Sequence, residues 1–233
     1  MATITDLKEE SELLLLACQI LDRQGVLDNS GHLSFRIPDT DRFVIPARQA
    51  PGLATMDSLM IIDVDGDVVE GEGTPPLEWP IHGRVYRARS DVMSIMHSHS
   101  PMSRSFSISR VPLRPVFGIA APWFHAPVPI CRAVGVIDTP EDGDHVAEVL
   151  DAGPAVLLRA HGNVVVGPGI EATTVRAVTL EQVAGSLLRA ASLGEVDDLT
   201  ERELTTWRDE TPSGHQKAWD YLRAGVMGPK GTG

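Results

Sequence analysis

The apolar residues of this chain come mostly in short runs broken by tight polar turns, and that rhythm limits the folds open to it. Leu33-Ser34-Phe35-Arg36-Ile37 alternates apolar and polar residues, as a half-buried strand does, and residues 43–45 follow as a second short strand. Residues 59–64 and 68–70 flank Asp65-Gly66-Asp67, the signature of a hairpin. Residues 92–97 form a further strand. A second hairpin-like pair, residues 155–160 and 164–166, encloses His161-Gly162-Asn163. Helical periodicity fills the remainder. Thr5 or Asp6 caps a first helix that runs to Gly25, and another is expected over residues 78–89. A third starts at Asp138-Thr139-Pro140-Glu141 and ends near Asp151-Ala152-Gly153. Residues 171–193 form a fourth, closed by Gly194, and residues 201–223 read as two short helices broken at Thr211-Pro212-Ser213-Gly214. Residues 228–233 are expected to be disordered. With no repeat and no long linker, the pattern predicts one domain over residues 1–194, a mostly antiparallel sheet covered by helices. A helical extension occupies residues 195–233.

Charge narrows the function. Lys plus Arg number 20 and Asp plus Glu 32, a formal charge of −12, and the sequence concentrates no basic patch. Such a field repels nucleic-acid backbones and anionic membrane surfaces, so neither is an expected partner. The apolar run at residues 13–18 follows Lys8-Glu9-Glu10, too short and too acidic upstream for a signal peptide or a membrane span. Cys18 and Cys131 have no metal or redox spacing and read as reduced thiols, or at most one buried pair. A soluble cytoplasmic protein is the expectation.

Three of eight histidines sit where metal chemistry wants them. His97 and His99 lie two apart at the end of an apolar strand, so both imidazoles share a face and can reach one ion. Read alone, the pair also fits one satisfied core histidine and one exposed one. His161 stands at a hairpin tip, where Gly162 permits close backbone approach; it is either a partnerless turn residue or a third imidazole for a divalent ion. Glu78 follows the rigid entry Thr74-Pro75-Pro76-Leu77 into a helix. It serves there either as a favourable charge at the helix N-terminus or as a general acid and base beside the metal.

The ordered set Gly31-His32-Leu33-Ser34-Phe35-Arg36, Glu78-Trp79-Pro80-Ile81-His82, His97-Ser98-His99 and His161-Gly162 resembles the class II aldolase/adducin family over residues 7–193. The resemblance implies a three-layer αβα domain with a central, mainly antiparallel sheet. It also implies a homotetramer with active sites at subunit boundaries, and a divalent metal, zinc foremost with manganese, iron or cobalt as alternatives. His97, His99 and His161 would be the metal ligands and Glu78 the acid/base. The segment beyond Gly194, with Trp207, His215, Trp219 and Tyr221, would close over a neighbouring site.

The departures from that family are informative. Its sugar-phosphate members use an asparagine, a Thr-Gly pair and a Ser-Ser pair where this chain has His32, Ala47-Arg48 and Pro76-Leu77, and Pro76 lacks even an N–H. The tyrosine that donates a proton in the aldolases aligns with Phe117. Arg48 offers a planar fork for a carboxylate, with His32 and Ser34 as further substrate-binding residues. Trp79, Trp123, Phe124 and Phe35 are either apolar walls of the site or ordinary core, and His125 either a second proton donor or structural. The pattern is most similar to the branch of the family that decarboxylates hydroxylated aromatic or ring-cleavage acids, such as dihydroxyphthalate decarboxylase. A retro-aldol lyase acting on a non-phosphorylated hydroxy-keto acid, a non-catalytic adducin-like module and a non-haem iron oxygenase are the alternatives.

Overall fold

A single eight-stranded sheet organises the computed structural model, which describes residues 2–124, 126–133, 135–210 and 215–228. In chain order the strands are β1 (His32–Arg36), β2 (Arg42–Pro46), β3 (Leu59–Asp63), β4 (Val68–Glu70), β5 (Ser94–Ser98), β6 (Ile130–Cys131), β7 (Ala155–Leu158) and β8 (Gly162–Gly167). Their spatial order is β4-β3-β2-β1-β5-β8-β7-β6, and every pairing is antiparallel except β6 with β7. Short hairpin connections impose that geometry on the pairs β1–β2, β3–β4 and β7–β8, since a parallel pair needs a crossover of a dozen residues or more. Only the two-residue edge strand β6, reached by a long excursion, runs parallel.

Helices cover both faces, which makes three layers. On one face α1 (Lys8–Arg23), α3 (Pro101–Ser107), α5 (Ile170–Leu193) and α7 (His215–Met227) enclose Leu33, Phe35, Val44, Ile61, Met96, Leu157 and Val165. On the other, α2 (Trp79–Ala88) and α4 (Pro140–Leu150) enclose Phe43, Ile45, Met60, Ile62, Ile95, Val156 and Val164. Because strand residues alternate between faces, sheet residues burying apolar side chains in both cores read as near-continuous apolar runs. The two cysteines are free and buried, Cys18 in the first core and Cys131 in the second, so the sheet separates them.

Several elements depart from the sequence expectations. The first helix begins at Lys8 without a side-chain cap, because Thr3 and Asp6 bond each other in the preceding turn. Thr139 does cap α4, accepting from the Asp142 amide. Helix α3 was invisible to periodicity: its polar residues look outwardly loop-like, yet the Glu181 carboxylate on α5 accepts from the Met102 and Ser103 amides and holds its first turn. The extension forms α6 (Glu201–Glu210) and α7. Trp219 is buried in the domain's own core, whereas Trp207 packs on Gly118 and stays partly exposed. The break at residues 211–214 and the tail at residues 229–233 lie outside the described residues. Among the described residues, no helix is long and apolar enough to cross a membrane.

Candidate active site

The register of three adjacent strands builds the site. β1 pairs with β5 so that His32 faces His97, and β5 pairs with β8 so that Ser98 faces Asn163. Two glycines let these backbones close up. A Cβ at Gly31, whose φ is +88°, would lie 2.7 Å from the His97 carbonyl, and one at Gly162 would lie 2.0 Å from the Ser98 carbonyl. Just before Gly162, Ala160 takes φ 57° and the His161 amide donates to Leu158 O, which turns the His161 ring back toward β5.

The result is a convergence of basic nitrogens. His97 Nε2 and His161 Nε2 each lie 3.1 Å from His99 Nε2. Glu78 brings its two oxygens to 3.3 Å from His97 Nε2 and 3.4 Å from His161 Nε2. Although it stands at the N-cap of α2, its side chain does not cap that helix; it turns to the imidazoles and accepts from the Ile137 amide at 2.9 Å. One ligand atom from each of the four residues lies within 4.8 Å of the others.

The donor set fits a divalent cation on its own chemistry. His97 Nδ1 lies 3.0 Å from the backbone oxygen of Asn163, an acceptor, so it carries the proton and leaves Nε2 as a lone pair. Asn163 is held in turn, its amide donating to Ser98, Ser100 and Ser103. The His97 lone pair, converging with two further imidazole nitrogens and a carboxylate, suits a positive charge between them. Burial works against the Glu78 charge, but its neighbours His161 and His97 and the Ile137 amide outweigh it and hold the carboxyl well below its usual range. His99 is pushed down to about 4, by burial and then by the neighbouring imidazoles His97 and His161, against the opposing pull of Asp28 and Glu78.

The cluster lies at the base of a cleft of about 290 Å³ lined by Gly31, His32, Ala47, Arg48, Pro76 and Leu77, with Glu78 and His99 at its floor. Arg48 reaches the rim with its side chain exposed and makes no ion pair among the described residues. His32 lines the wall. Ser34 does not: it is fully buried behind His32, its hydroxyl taken by His82 and Tyr86, so it cannot touch a substrate and its expected binding role is corrected. Nor do the aromatics form walls. Phe35 and Phe124 are core, Trp79 packs on Gly66, and Trp123 lies under Arg176 at the opposite end of β8. Phe117 packs on the first core, and His125 lies outside the described residues.

Sequence reasoning missed the partners of β1. His82 and Tyr86 lie one turn apart on α2, fully buried over the face of β1 that carries His32 and Ser34. The expected half-buried strand is therefore buried on both faces. An i, i+4 polar pair on a helix following an i, i+2 polar pair on a strand was the available signal.

Comparison with known proteins adds the following. The sequence profile of the Class II Aldolase and Adducin N-terminal domain matches residues 12–188. The chain is 29% identical to 3,4-dihydroxyphthalate decarboxylase of Arthrobacter keyseri, across 92% of this chain and 93% of that protein. It is also 29% identical to the 5-deoxy-D-ribulose 1-phosphate aldolase of Bacillus thuringiensis, over 64% of this chain and 68% of that enzyme. The fold superposes on L-fuculose 1-phosphate aldolase from Glaciozyma antarctica with a TM-score of 0.81 at 21% identity, covering 96% of this chain and 90% of that one.

Proposed function

The chain belongs to the class II aldolase and adducin N-terminal domain family, and from that premise we propose that it is a metal-dependent, non-oxidative decarboxylase of a hydroxylated aromatic acid of the dihydroxyphthalate kind, or of a related ring-cleavage acid. The observation that carries this reading is the donor cluster of His97, His99, His161 and Glu78 under a cleft whose rim offers Arg48 but has Pro76 and Leu77 directly before Glu78. Likeness to decarboxylases over nearly the whole chain supports the reaction type. Zinc is the ion we assign, since three imidazoles with an open fourth position suit its tetrahedral preference; manganese, iron and cobalt are the alternatives that elemental analysis separates.

His97, His99 and His161 would hold the ion. When bound, it supplies positive charge to the substrate carboxylate and the adjacent hydroxyl oxygen. Glu78, kept ionised by its neighbours, takes the hydroxyl proton and returns it to the ring carbon that bears the carboxylate. That carbon becomes tetrahedral, the C–CO₂ bond breaks, CO₂ leaves, and the bonding electrons restore the ring as a phenolate, which takes a proton from water. Glu78 ends as it began. Arg48 grips a second carboxylate and fixes orientation. On a protein of net charge −12 that local positive charge, with the ion's, must draw the acid in. We further propose a cytoplasmic homotetramer, tested by light scattering and cell fractionation.

Metal analysis followed by incubation with a panel of ortho-hydroxy aromatic acids, monitoring CO₂, tests the reaction. Glu78→Gln should lower turnover by about 10²- to 10⁴-fold with metal content unchanged; full activity in that variant removes Glu78 from the chemistry. A retro-aldol lyase is the second reading, favoured by the likeness to an aldolase, and it predicts an aldehyde in place of CO₂. The absence of a hydroxyl on Phe117 weighs against it. The donor cluster likewise weighs against a non-catalytic adducin-like module, which needs no metal site.

A further inference from the structure

Behind the cleft runs a buried chain of hydrogen bonds that no step above uses. Tyr86 Oη lies 2.7 Å from Ser34 Oγ, Ser34 Oγ lies 2.6 Å from His82 Nδ1, and His82 Nε2 lies 2.6 Å from His32 Nδ1. Ser34 and His82 are wholly buried, Tyr86 nearly so. The chain ends at His32, whose ring centre is 5.1 Å from that of His97. His32 Nε2 makes no hydrogen bond to any described residue, is not among the sealed polar atoms, and belongs to a residue that lines the cleft. It is the one end of the chain that opens outward.

Each hydroxyl and each neutral imidazole carries a single proton, so fixing one end orients every link. Tyr86 fixes it. Its hydroxyl has Ser34 as its only hydrogen-bonding side chain among the described residues, and burial pushes the phenol pKa up, so it stays O–H. Among the described residues, no other acceptor lies within hydrogen-bonding reach of that hydroxyl. The Tyr86 proton must go to Ser34 Oγ; Ser34 then donates to His82 Nδ1. His82 carries its own proton on Nε2 and donates to His32 Nδ1, which leaves the His32 proton on Nε2. The opposite polarity would strand a buried phenol proton, at a cost of about 1–3 kcal/mol.

We propose that Tyr86, Ser34 and His82 are positioning residues that lock His32 as an Nε2–H donor facing the cleft, where it recognises an anionic oxygen, carboxylate or phenolate, next to the metal centre. With Nδ1 occupied, His32 has no lone pair for a metal and no basic nitrogen for the substrate. It reads charge and does not move protons. The recognition rests on the reading of the site given above, whereas the lock itself does not.

Long-range proton–nitrogen correlation spectra of the zinc-loaded protein with ¹⁵N-labelled histidine test the lock without substrate, His82→Gln and His32→Asn providing assignments. Both His32 and His82 should be protonated on Nε2; an Nδ1–H form at either overturns the proposal. Salicylate binding followed by calorimetry tests recognition without turnover. Ser34→Ala should weaken it by about five- to tenfold and mix the two tautomers, at unchanged zinc content, whereas Ser34→Thr, which keeps the hydroxyl, restores both. Failure of the wild-type protein to bind salicylate, or equal binding by Ser34→Ala, overturns the recognition role. Absence of CO₂ release with the tautomers and salicylate binding as stated counts against the decarboxylase reading alone and upholds the inference.

Discussion

Two groups of histidines lie back to back on one face of the sheet and are built on opposite principles. In the His97, His99 and His161 group the Nε2 atoms converge on one another at 3.1 Å, and His97, with its proton on Nδ1, presents a lone pair there. In the His32 and His82 group each inward nitrogen meets a partner of complementary character, and the set closes on Ser34 and Tyr86. The first group is incomplete without an outside cation; the second is satisfied by the chain itself. What separates them is the neighbour of each Nδ1, a backbone carbonyl for His97 and a side chain for His32 and His82. Histidine content alone therefore says little about metal chemistry until each second nitrogen is traced.

The contrast can be broken most forcefully at His97. Changing it to Ala should lower metal affinity by more than about a hundredfold and abolish turnover, since disturbing merely the outer partners of a ligand already costs about 10–100-fold. Equilibrium dialysis with elemental analysis reads the first and CO₂ release the second; retention of stoichiometric metal would dissolve the distinction between the groups.

His82→Phe should do the reverse, leaving metal content intact while lowering unfolding free energy by about 2–4 kcal/mol, because the Ser34 hydroxyl and His32 Nδ1 lose a buried partner. The same variant has a pH signature. Burial, and then the nearby His97, push His82 down to about 3 from its ordinary 6.5. The unfolded chain thus binds more protons at this position between those values, so its stabilising contribution is complete above pH 6.5 and is lost as pH falls toward 3. Denaturant titrations of metal-free protein should show the wild type losing stability more steeply on acidification than His82→Phe, by up to about 1.4 kcal/mol per pH unit. Parallel slopes would mean that His82 carries a charge in the fold.

Asp28→Asn marks the lower end. Asp28 lies 4.0 Å from His99 Nδ1 with its side chain more than half exposed, so its removal should change metal affinity by less than about threefold. A larger loss in the same dialysis measurement would move Asp28 into the centre proper.

How much of this was legible in advance follows from the range of each interaction. Strands and hairpin turns are local, and β2, β3, β4, β7 and α5 lie within a residue or two of where the alternation and the glycines put them. His97 and His99 are two residues apart, so their shared face could be read from strand geometry, and the ordered motifs added His161 and Glu78. Ser34 was misplaced because its partners, His82 and Tyr86, lie 48 and 52 residues away; a polar alternation looks alike whether it faces water or a buried helix. The carboxylate that stabilises α3 is likewise remote, 79 residues on from the Met102 amide it accepts from. Local chemistry fixed which residues pointed together; only packing fixed what they met.

The close approach at Gly162 has a consequence for how such a protein diversifies. With the Ser98 carbonyl filling the space a side chain would need, the β5 and β8 backbones cannot slip past one another, and a one-residue slip would carry His97 to the far side of the sheet. His97 is thus fixed by the register of the strands. The rim residues Ala47, Arg48, Gln49, Pro76 and Leu77 lie in connecting segments and contribute no ligand atom themselves. New substrates can therefore be acquired by rewriting the rim while the floor stays the same, one apparatus accepting different small molecules by exchange of its mouth.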